Sequence, residues 1–293
     1  MNVTRTFPLP SFRRGVLWLG VFLWAVRPGF ATESFSPAKT DVAPESGKPF
    51  TLPGIGLDLV PVAAGTFGMG STYSESGRQA DETYHIVVLS RPFWMGRTPV
   101  TQAQYEAVMG NNPSHFKRAD FPVESVTWDE AMAFCRKLTE QAKAAGRLPE
   151  GYVYTLPTEA QREYSCRAGT GGRYAGDLNA IAWHNGNSDE KPQPVGQKQP
   201  NAWGLYDMQG NIWEWCLDWY GSYPQEKVTD PTGPARGSAR VYRGGAWFHS
   251  ADLCRSAYRY RLAPDNRGSL LGFRVALAPA VEPPAVAGSA PIK

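Results

Sequence analysis

The half of the chain that follows residue 169 consists mostly of turn-forming and aromatic residues, with little helical or strand periodicity. A long irregular region constrains the fold, because its loops lack the regular backbone hydrogen bonds of helices and sheets. Such loops need packed tryptophans or bound ions to hold them in place. The first half has three helix starts, each a Thr with Glu or Gln three residues later, at Thr101, Thr127 and Thr158. The segments LVPV, HIVVL and LGFRVAL predict short strands. We therefore expect an α+β domain low in regular secondary structure.

The N-terminus predicts a secretory signal peptide over residues 1–31. Arginines precede an apolar run over residues 15–26, and the small-residue sequence GFA ends at Ala31. The run is too short to span a bilayer comfortably, and no cysteine follows the cleavage site to carry a lipid. We expect a periplasmic or secreted protein without a membrane anchor once the signal is removed. FRRGVL is compatible with twin-arginine export and equally with an ordinary positively charged signal.

Composition divides the rest of the chain into one domain and two flanking segments. Residues 32–54 and 279–293 are rich in Pro, Ala and Ser, which predicts a flexible linker and a disordered tail. The domain is expected over residues 55–278. The net charge is +3 with dispersed Lys and Arg, so the sequence offers no basic face for nucleic acid.

The chain has four cysteines, Cys135, Cys166, Cys216 and Cys254, and none belongs to a CxxC pair. Its histidines are also far apart, so the spacing does not favour a zinc site. An even number of cysteines in an exported protein permits disulfides. We expect Cys135 to pair with Cys166 and Cys216 with Cys254. Helical spacing places Cys135 on the core-facing side of the second helix.

The stretch GNIWEWCLDW over residues 210–219 has an unusual density of tryptophans and carboxylates. Asp207 and Glu214 bracket a turn at Gly210 and Asn211. Hard oxygen ligands around a glycine turn suit calcium. The tryptophans themselves are expected to pack mainly into the core.

Six ordered segments together resemble the formylglycine-generating enzyme and sulfatase-modifying factor family. They are GTFGMGS, TPVTQAQYEAVMG, PVESVTWDEAMAFCRKL, LPTEAQREYSCRAGT, PNAWGLYDMQGNIWEWCLDWY and the C-terminal set RGGAWF, CRSAYRYR, PDN and LGFRVAL. The resemblance implies a C-type-lectin-like fold with structural calcium. It implies one calcium site made by the side chains of Asp207 and Glu214 and the carbonyls of Gly210 and Ile212.

The sequence departs from the family where the resemblance implies catalysis. Formylglycine generators oxidise a substrate cysteine with two cysteines that hold Cu(I). Counted forward from the Gly-Gly pair, those positions fall on His249 and Cys254; counted back from Pro264, the second falls on Ala251. The pair is incomplete in either register. His249 with Cys254 as a mixed copper site and His249 as a surface residue beside a structural cysteine both remain open.

Arginines and aromatic residues are concentrated around this motif. They are Arg243, Arg255, Arg259, Arg261, Arg267, Arg274, Trp247, Tyr258 and Tyr260. One interpretation is a substrate pocket of Trp247, His249, Cys254, Arg255 and Arg259 that recognises an extended peptide. The alternative is that the arginines brace a loop-rich fold from within.

Two functions from different classes follow from the resemblance. The first is oxidative modification or maturation of a periplasmic protein, peptide or secreted metabolite, through an unidentified redox centre other than the two-cysteine copper site. The second is a non-catalytic C-type-lectin-like binding or accessory module, for example for a periplasmic metalloenzyme such as nitrite reductase. Both imply a protein or peptide substrate or partner, and fold alone does not decide between them.

Overall fold

The protein's structure is a computed structural model that describes residues 43–281. Short strands form three sheets around few helices, which confirms the expected α+β class. The strands are β1 Phe50–Leu52, β2 Leu57–Val62, β3 Gly65–Met69, β4 His85–Leu89, β5 Phe93–Gly96, β6 Tyr152–Thr155, β7 Trp213–Trp219, β8 Val228–Thr229, β9 Arg240–Arg243, β10 Arg259–Leu262, β11 Leu271–Phe273 and β12 Ala276–Pro279. The helices are α1 Gln102–Met109, α2 Trp128–Ala144, α3 Glu159–Arg167 and α4 Leu178–Ile181, with a 3-10 turn at Ala251–Cys254.

Each of the three predicted helix starts forms a complete capping box. In each, the Thr side chain accepts a hydrogen bond from the backbone N–H three residues later, and the Gln or Glu there accepts one from the Thr N–H. Helix α2 buries the predicted stripe that includes Phe134, Cys135 and Leu138. Local sequence therefore sets where these helices begin.

The largest sheet has five strands in the order β1-β2-β5-β12-β6, and helix α2 packs beside β6. A second sheet of four strands, β10-β9-β7-β11, carries the tryptophan-rich segment on β7. Trp213 and Trp215 are buried, as the spacing predicts, and both belong to the core cluster that contains Phe134 and Phe273. The remaining sheet, β3-β4-β8, lies over a second apolar cluster that includes Met69, Val87 and Met208.

The turn before β7 shows how the irregular half is fixed. Gly210 has a φ of +75°, and a Cβ there would lie 2.2 Å from the Trp183 carbonyl oxygen, so only glycine fits. Its N–H donates to the Gly244 carbonyl over 2.7 Å, and the Asn211 N–H donates to the Trp183 carbonyl over 2.8 Å. Hydrogen bonds between distant loops thus replace regular ladders here.

The boundaries of the flanking segments need two corrections. Strand β1 lies inside the predicted linker over residues 32–54, because Phe50–Leu52 pairs with β2. Pro279 ends β12 instead of beginning the tail. The predicted signal peptide lies outside the described residues. Within residues 43–281, no helix combines the length and apolar character needed to cross a membrane.

Candidate functional site

A continuous set of ring contacts runs through the region where the resemblance places catalysis, and we call it the aromatic surface. Its members are Phe116, Trp213, Tyr242, Trp247, Phe248, His249, Tyr258 and Tyr260. Trp213 and Trp247 are buried, whereas Phe248 is 57% exposed and Tyr260 is 51% exposed. The set therefore joins the core to the exterior and leaves large apolar rings open to solvent.

His249 lies within the aromatic surface and is partly buried. The Trp213 indole Nε1–H donates to His249 Nδ1 over 3.0 Å. Because Nδ1 accepts this bond, the neutral ring carries its proton on Nε2. Burial lowers the pKa of His249, which favours this neutral form. The ring is thus held as a hydrogen-bond donor through Nε2–H.

Cys254 is fully buried at the end of the 3-10 turn. A Cβ on Gly245 would lie 2.5 Å from Cys254 Sγ, so the Gly-Gly pair is packed directly against the sulfur. Burial raises the pKa of the thiol to about 12. Since the thiolate is the form that binds soft metals and attacks electrophiles, Cys254 is an inert packing residue in this environment.

The guanidinium groups of Arg255 and Arg259 are bound by internal carboxylates, which does not fit the interpretation that they recognise a peptide together with Trp247 and His249. Arg255 makes a two-point contact with Glu82, at 2.6 and 2.9 Å, and also binds Glu75. Arg259 makes a two-point contact with Glu159, at 2.6 and 2.8 Å. Both guanidinium groups are buried and bind internal carboxylates, so the alternative interpretation of internal bracing holds for them.

The other two buried arginines of the C-terminal motifs also have internal carboxylate partners. Arg243 pairs with Glu163 and donates to the carbonyls of Ala257 and Tyr258. Arg274 pairs with Glu214 at 2.9 Å. Of the five residues expected to form the substrate pocket, His249 is the one that remains partly exposed. Trp247 is buried and packs against the exposed Phe248 ring.

The four predicted calcium ligands lie in the turn before β7 and at the start of that strand. Glu214 does not fit the role of a calcium ligand, because arginines occupy both of its oxygens. Glu214 Oε2 accepts from Arg162 Nε over 2.7 Å and from Arg274 Nε over 3.1 Å, while Oε1 accepts from Arg274 Nη2 over 2.9 Å. Burial alone would raise the pKa of this carboxyl, but Arg162 and Arg274 hold it below its usual value. The carbonyl of Gly210 accepts from the Ile212 N–H over 2.8 Å.

Asp207, unlike Glu214, has one carboxylate oxygen without a hydrogen-bond partner among the described residues. Its Oδ2 accepts from the Gly196 N–H over 2.7 Å, whereas Oδ1 is buried and makes no hydrogen bond within the described part of the chain. The neighbouring Asn211 side chain is paired instead with Gln193. Burial raises the pKa of Asp207 to about 6, against the effect of the Gly196 hydrogen bond.

Neither predicted disulfide is formed, because all four cysteines are buried free thiols. Cys135 packs in the core cluster around Phe134, whereas Cys166 packs in the second cluster around Met208. Cys216 lies on β7 and Cys254 in the 3-10 turn. The members of each expected pair therefore lie on different elements, and those of the first pair also lie in different apolar clusters.

Sequence reasoning missed a cavity of about 510 Å³ at the N-terminus of α3. Asp218, His85 and Tyr223 line it, together with the Arg259–Glu159 pair. Asp218 Oδ2 accepts from the Glu159 N–H over 2.8 Å. Burial, followed by the negative charge of Glu159, raises the pKa of Asp218 to about 8. Asp218 belongs to the tryptophan-rich stretch over residues 210–219, but no local sequence pattern indicates that it is buried.

The fold and site define a loop-rich α+β domain braced by buried tryptophans and arginine–carboxylate pairs. Residues 56–279 match the sulfatase-modifying factor enzyme 1-like domain, and the chain belongs to the formylglycine-generating enzyme and sulfatase-modifying factor family. This confirms the family and fold that the sequence motifs predict.

Three relatives illustrate the range of the family. The chaperone protein LppX of Paenibacillus barcinonensis is 30% identical over 266 residues, which cover 74% of this chain and 88% of that protein. The formylglycine-generating enzyme of Mus musculus is 34% identical over 216 residues, covering 66% of this chain and 53% of the enzyme's length. The structure of Treponema denticola variable protein 1 superposes with a TM-score of 0.70 at 33% identity, covering 78% of this chain and 98% of that one.

Proposed function

We propose that this chain is a non-catalytic, chaperone-like accessory protein that holds an extended segment of an exported client protein on the aromatic surface. The observation that carries the proposal is the contrast between Cys254 and its neighbours. The thiol at the expected reaction centre is buried and protonated, whereas Phe248 and Tyr260 present exposed rings in the aromatic surface that contains His249. Exposed apolar groups of this size are typical of recognition surfaces.

The chemistry of the surface indicates the kind of segment that it binds. Aromatic rings offer broad apolar contact with little loss of side-chain entropy, and His249 adds a directed hydrogen-bond donor through Nε2–H. An extended client segment with apolar or aromatic side chains and an exposed backbone carbonyl matches this combination. The relative named a chaperone protein, which this chain matches over 88% of its length, supports an accessory role.

Selection from a displayed library of unstructured peptides tests the proposal. Peptides enriched on the purified protein should be apolar, and their affinity should fall about tenfold or more in Phe248→Ser and Tyr260→Ser. Tyr73→Ser, at an exposed ring outside the aromatic surface, is the matched control and should bind normally. Failure to enrich any peptide, or unchanged binding by both surface variants, would contradict the proposal.

Oxidative modification is the rival function, and the 34% identity with the mouse enzyme is the observation that favours it. The same complexes separate the two functions. After aerobic incubation with copper or iron, bound peptides should be recovered at unchanged mass if the role is binding alone. A mass change that requires the protein would establish the rival.

We propose that this role is carried out in the periplasm, because the N-terminal sequence has the pattern of a signal peptide and the proposed client is exported. Mass spectrometry of protein recovered from the periplasmic fraction should give a chain beginning at Thr32. An intact N-terminus on that protein would contradict the proposed location.

A further inference from the structure

Arg162 lies where the loop from Asp207 to Glu214 offers oxygen atoms to a cation. It projects from α3, and its side chain is 1% exposed. Its Nε donates to Glu214 Oε2 over 2.7 Å, and its Nη2 donates to the Met208 carbonyl over 2.8 Å. One guanidinium therefore binds both a side-chain and a backbone oxygen of this loop.

The surrounding chain leaves space for this guanidinium. Gly244 has a φ of +109°, and a Cβ at that position would lie 2.9 Å from Arg162 Nη2. The first glycine of the Gly-Gly pair thus keeps the path to Met208 open. The contact of Arg162 with the Met208 carbonyl therefore depends on the absence of a side chain at position 244.

Arg274 completes the arrangement from the other side. It contacts both oxygens of Glu214 and donates to the carbonyls of Gly96 and Tyr206, each over 2.7 Å. Two guanidinium charges face the two carboxylates of Glu214 and Asp207, so the cluster is balanced when both are ionised. A calcium ion added here would bring two uncompensated positive charges beside buried arginines, which is unfavourable.

We propose that Arg162 is a built-in cation that replaces calcium in this loop, so that this chain folds and stays folded without a metal there. The loop retains the oxygen donors of a calcium site. Removing Arg162 opens one acceptor position on Glu214 Oε2, which keeps its bond from Arg274 Nε, and one on the Met208 carbonyl, in the loop that also holds the unpartnered Asp207 Oδ1. Arg162→Leu should therefore convert the loop into a calcium site.

Thermal unfolding of the full-length mature protein, with calcium, with magnesium or with a strong chelator, tests the proposal. Wild type should melt at the same temperature in all three. Arg162→Leu should melt lower than wild type in chelator and regain about 5 °C or more in saturating calcium, but little in magnesium. Equal responses of wild type and variant to calcium, or no calcium response of the variant, would overturn the proposal.

Arg243→Leu is the matched control, because Arg243 is similarly buried and also joins internal carboxylates to backbone carbonyls. It should be destabilised without any calcium response. Arg162→Gln is a milder variant with the same expected response if the leucine variant does not fold. Metal analysis of wild type decides independently: one calcium ion per chain that Asp207→Asn loses would overturn the proposal.

Discussion

Buried arginines and their carboxylate partners are the residues that hold the irregular half of this protein together. Arg162, Arg243, Arg255, Arg259 and Arg274 are all nearly inaccessible to solvent, and each contacts an internal carboxylate. Taking such charges out of water is costly, and removal of one partner leaves the other uncompensated. These positions should tolerate substitution poorly although they are not part of the aromatic surface.

Asp218 gives a pH-dependent prediction at the residue scale. Its folded pKa of about 8 lies above the value of an unfolded Asp, so the folded state favours the neutral carboxyl. The stability that Asp218 contributes is fully present below the unfolded pKa and is lost as the pH rises through the folded pKa. Asp218→Asn preserves the acceptor for the Glu159 N–H and mimics the neutral form.

Urea unfolding of both proteins at about pH 5 and pH 8 measures the effect. The variant should be the more stable protein at the higher pH, by about 2 kcal/mol or more, with a smaller difference at the lower pH. Asp265→Asn, at an exposed position, serves as control and should show no such trend. A constant difference across pH would argue against a neutral Asp218.

At the scale of elements, helix α3 concentrates structural charges on one short segment. It carries Glu159, Arg162, Glu163 and Arg167, all buried, and its start is fixed by Thr158. The helix therefore positions ion pairs to three strands of one sheet, β7, β9 and β10, and its capping box should matter more than its length suggests.

Thr158→Ala should destabilise the protein by about 1 kcal/mol, because the Gln161 N–H loses its acceptor at the helix start. Thr158→Ser keeps the hydroxyl and should restore most of that loss. Denaturant unfolding of the two variants checks this. Equal stability of Thr158→Ala and wild type would show that the cap is dispensable.

The elements that the sequence predicts are those encoded locally, and the misses involve contacts between distant residues. The three capping boxes and the α2 stripe are set within a few residues, so they could be read directly. LGFRVAL was predicted as one strand, but Arg274 turns inward to Glu214 and divides it between two sheets. The Arg255–Glu82 pair joins residues 173 positions apart, which no local pattern encodes.

At the scale of the whole molecule, four free thiols would need protection from oxidation if the chain is exported as we propose. All four are buried, and burial raises the pKa values of Cys135, Cys216 and Cys254. An inaccessible, protonated thiol reacts slowly with oxidants and alkylating agents.

Alkylation followed by mass spectrometry should therefore modify none of the cysteines in the native protein and all four after denaturation without reductant. The physical reason is that only unfolding exposes the four sulfurs, and it also removes the burial that raises the pKa values of Cys135, Cys216 and Cys254. Peptide mapping under non-reducing conditions provides the control. A mapped bridge between Cys216 and Cys254 would instead support the disulfide expected from the sequence.

At this scale, we propose that the region of the expected reaction centre serves as a binding surface in this family member. Cys254 is packed against Gly245, His249 is held by Trp213, and the two-cysteine pair is incomplete in either register. A Cu(I) site needs soft ligands that are accessible and deprotonated. The described surroundings of Cys254 supply neither condition.

The absence of a working copper centre at Cys254 is tested most directly by an activity assay. A sulfatase-type cysteine peptide is incubated with the protein and oxygen, with and without Cu(I), and formylglycine is measured. We predict no conversion of the cysteine to formylglycine under any of these conditions, and the same negative result for Cys254→Ser. Copper-dependent conversion by wild type that is abolished in Cys254→Ser or His249→Ala would contradict the account, because it would show that one Cys and one His form a working copper centre.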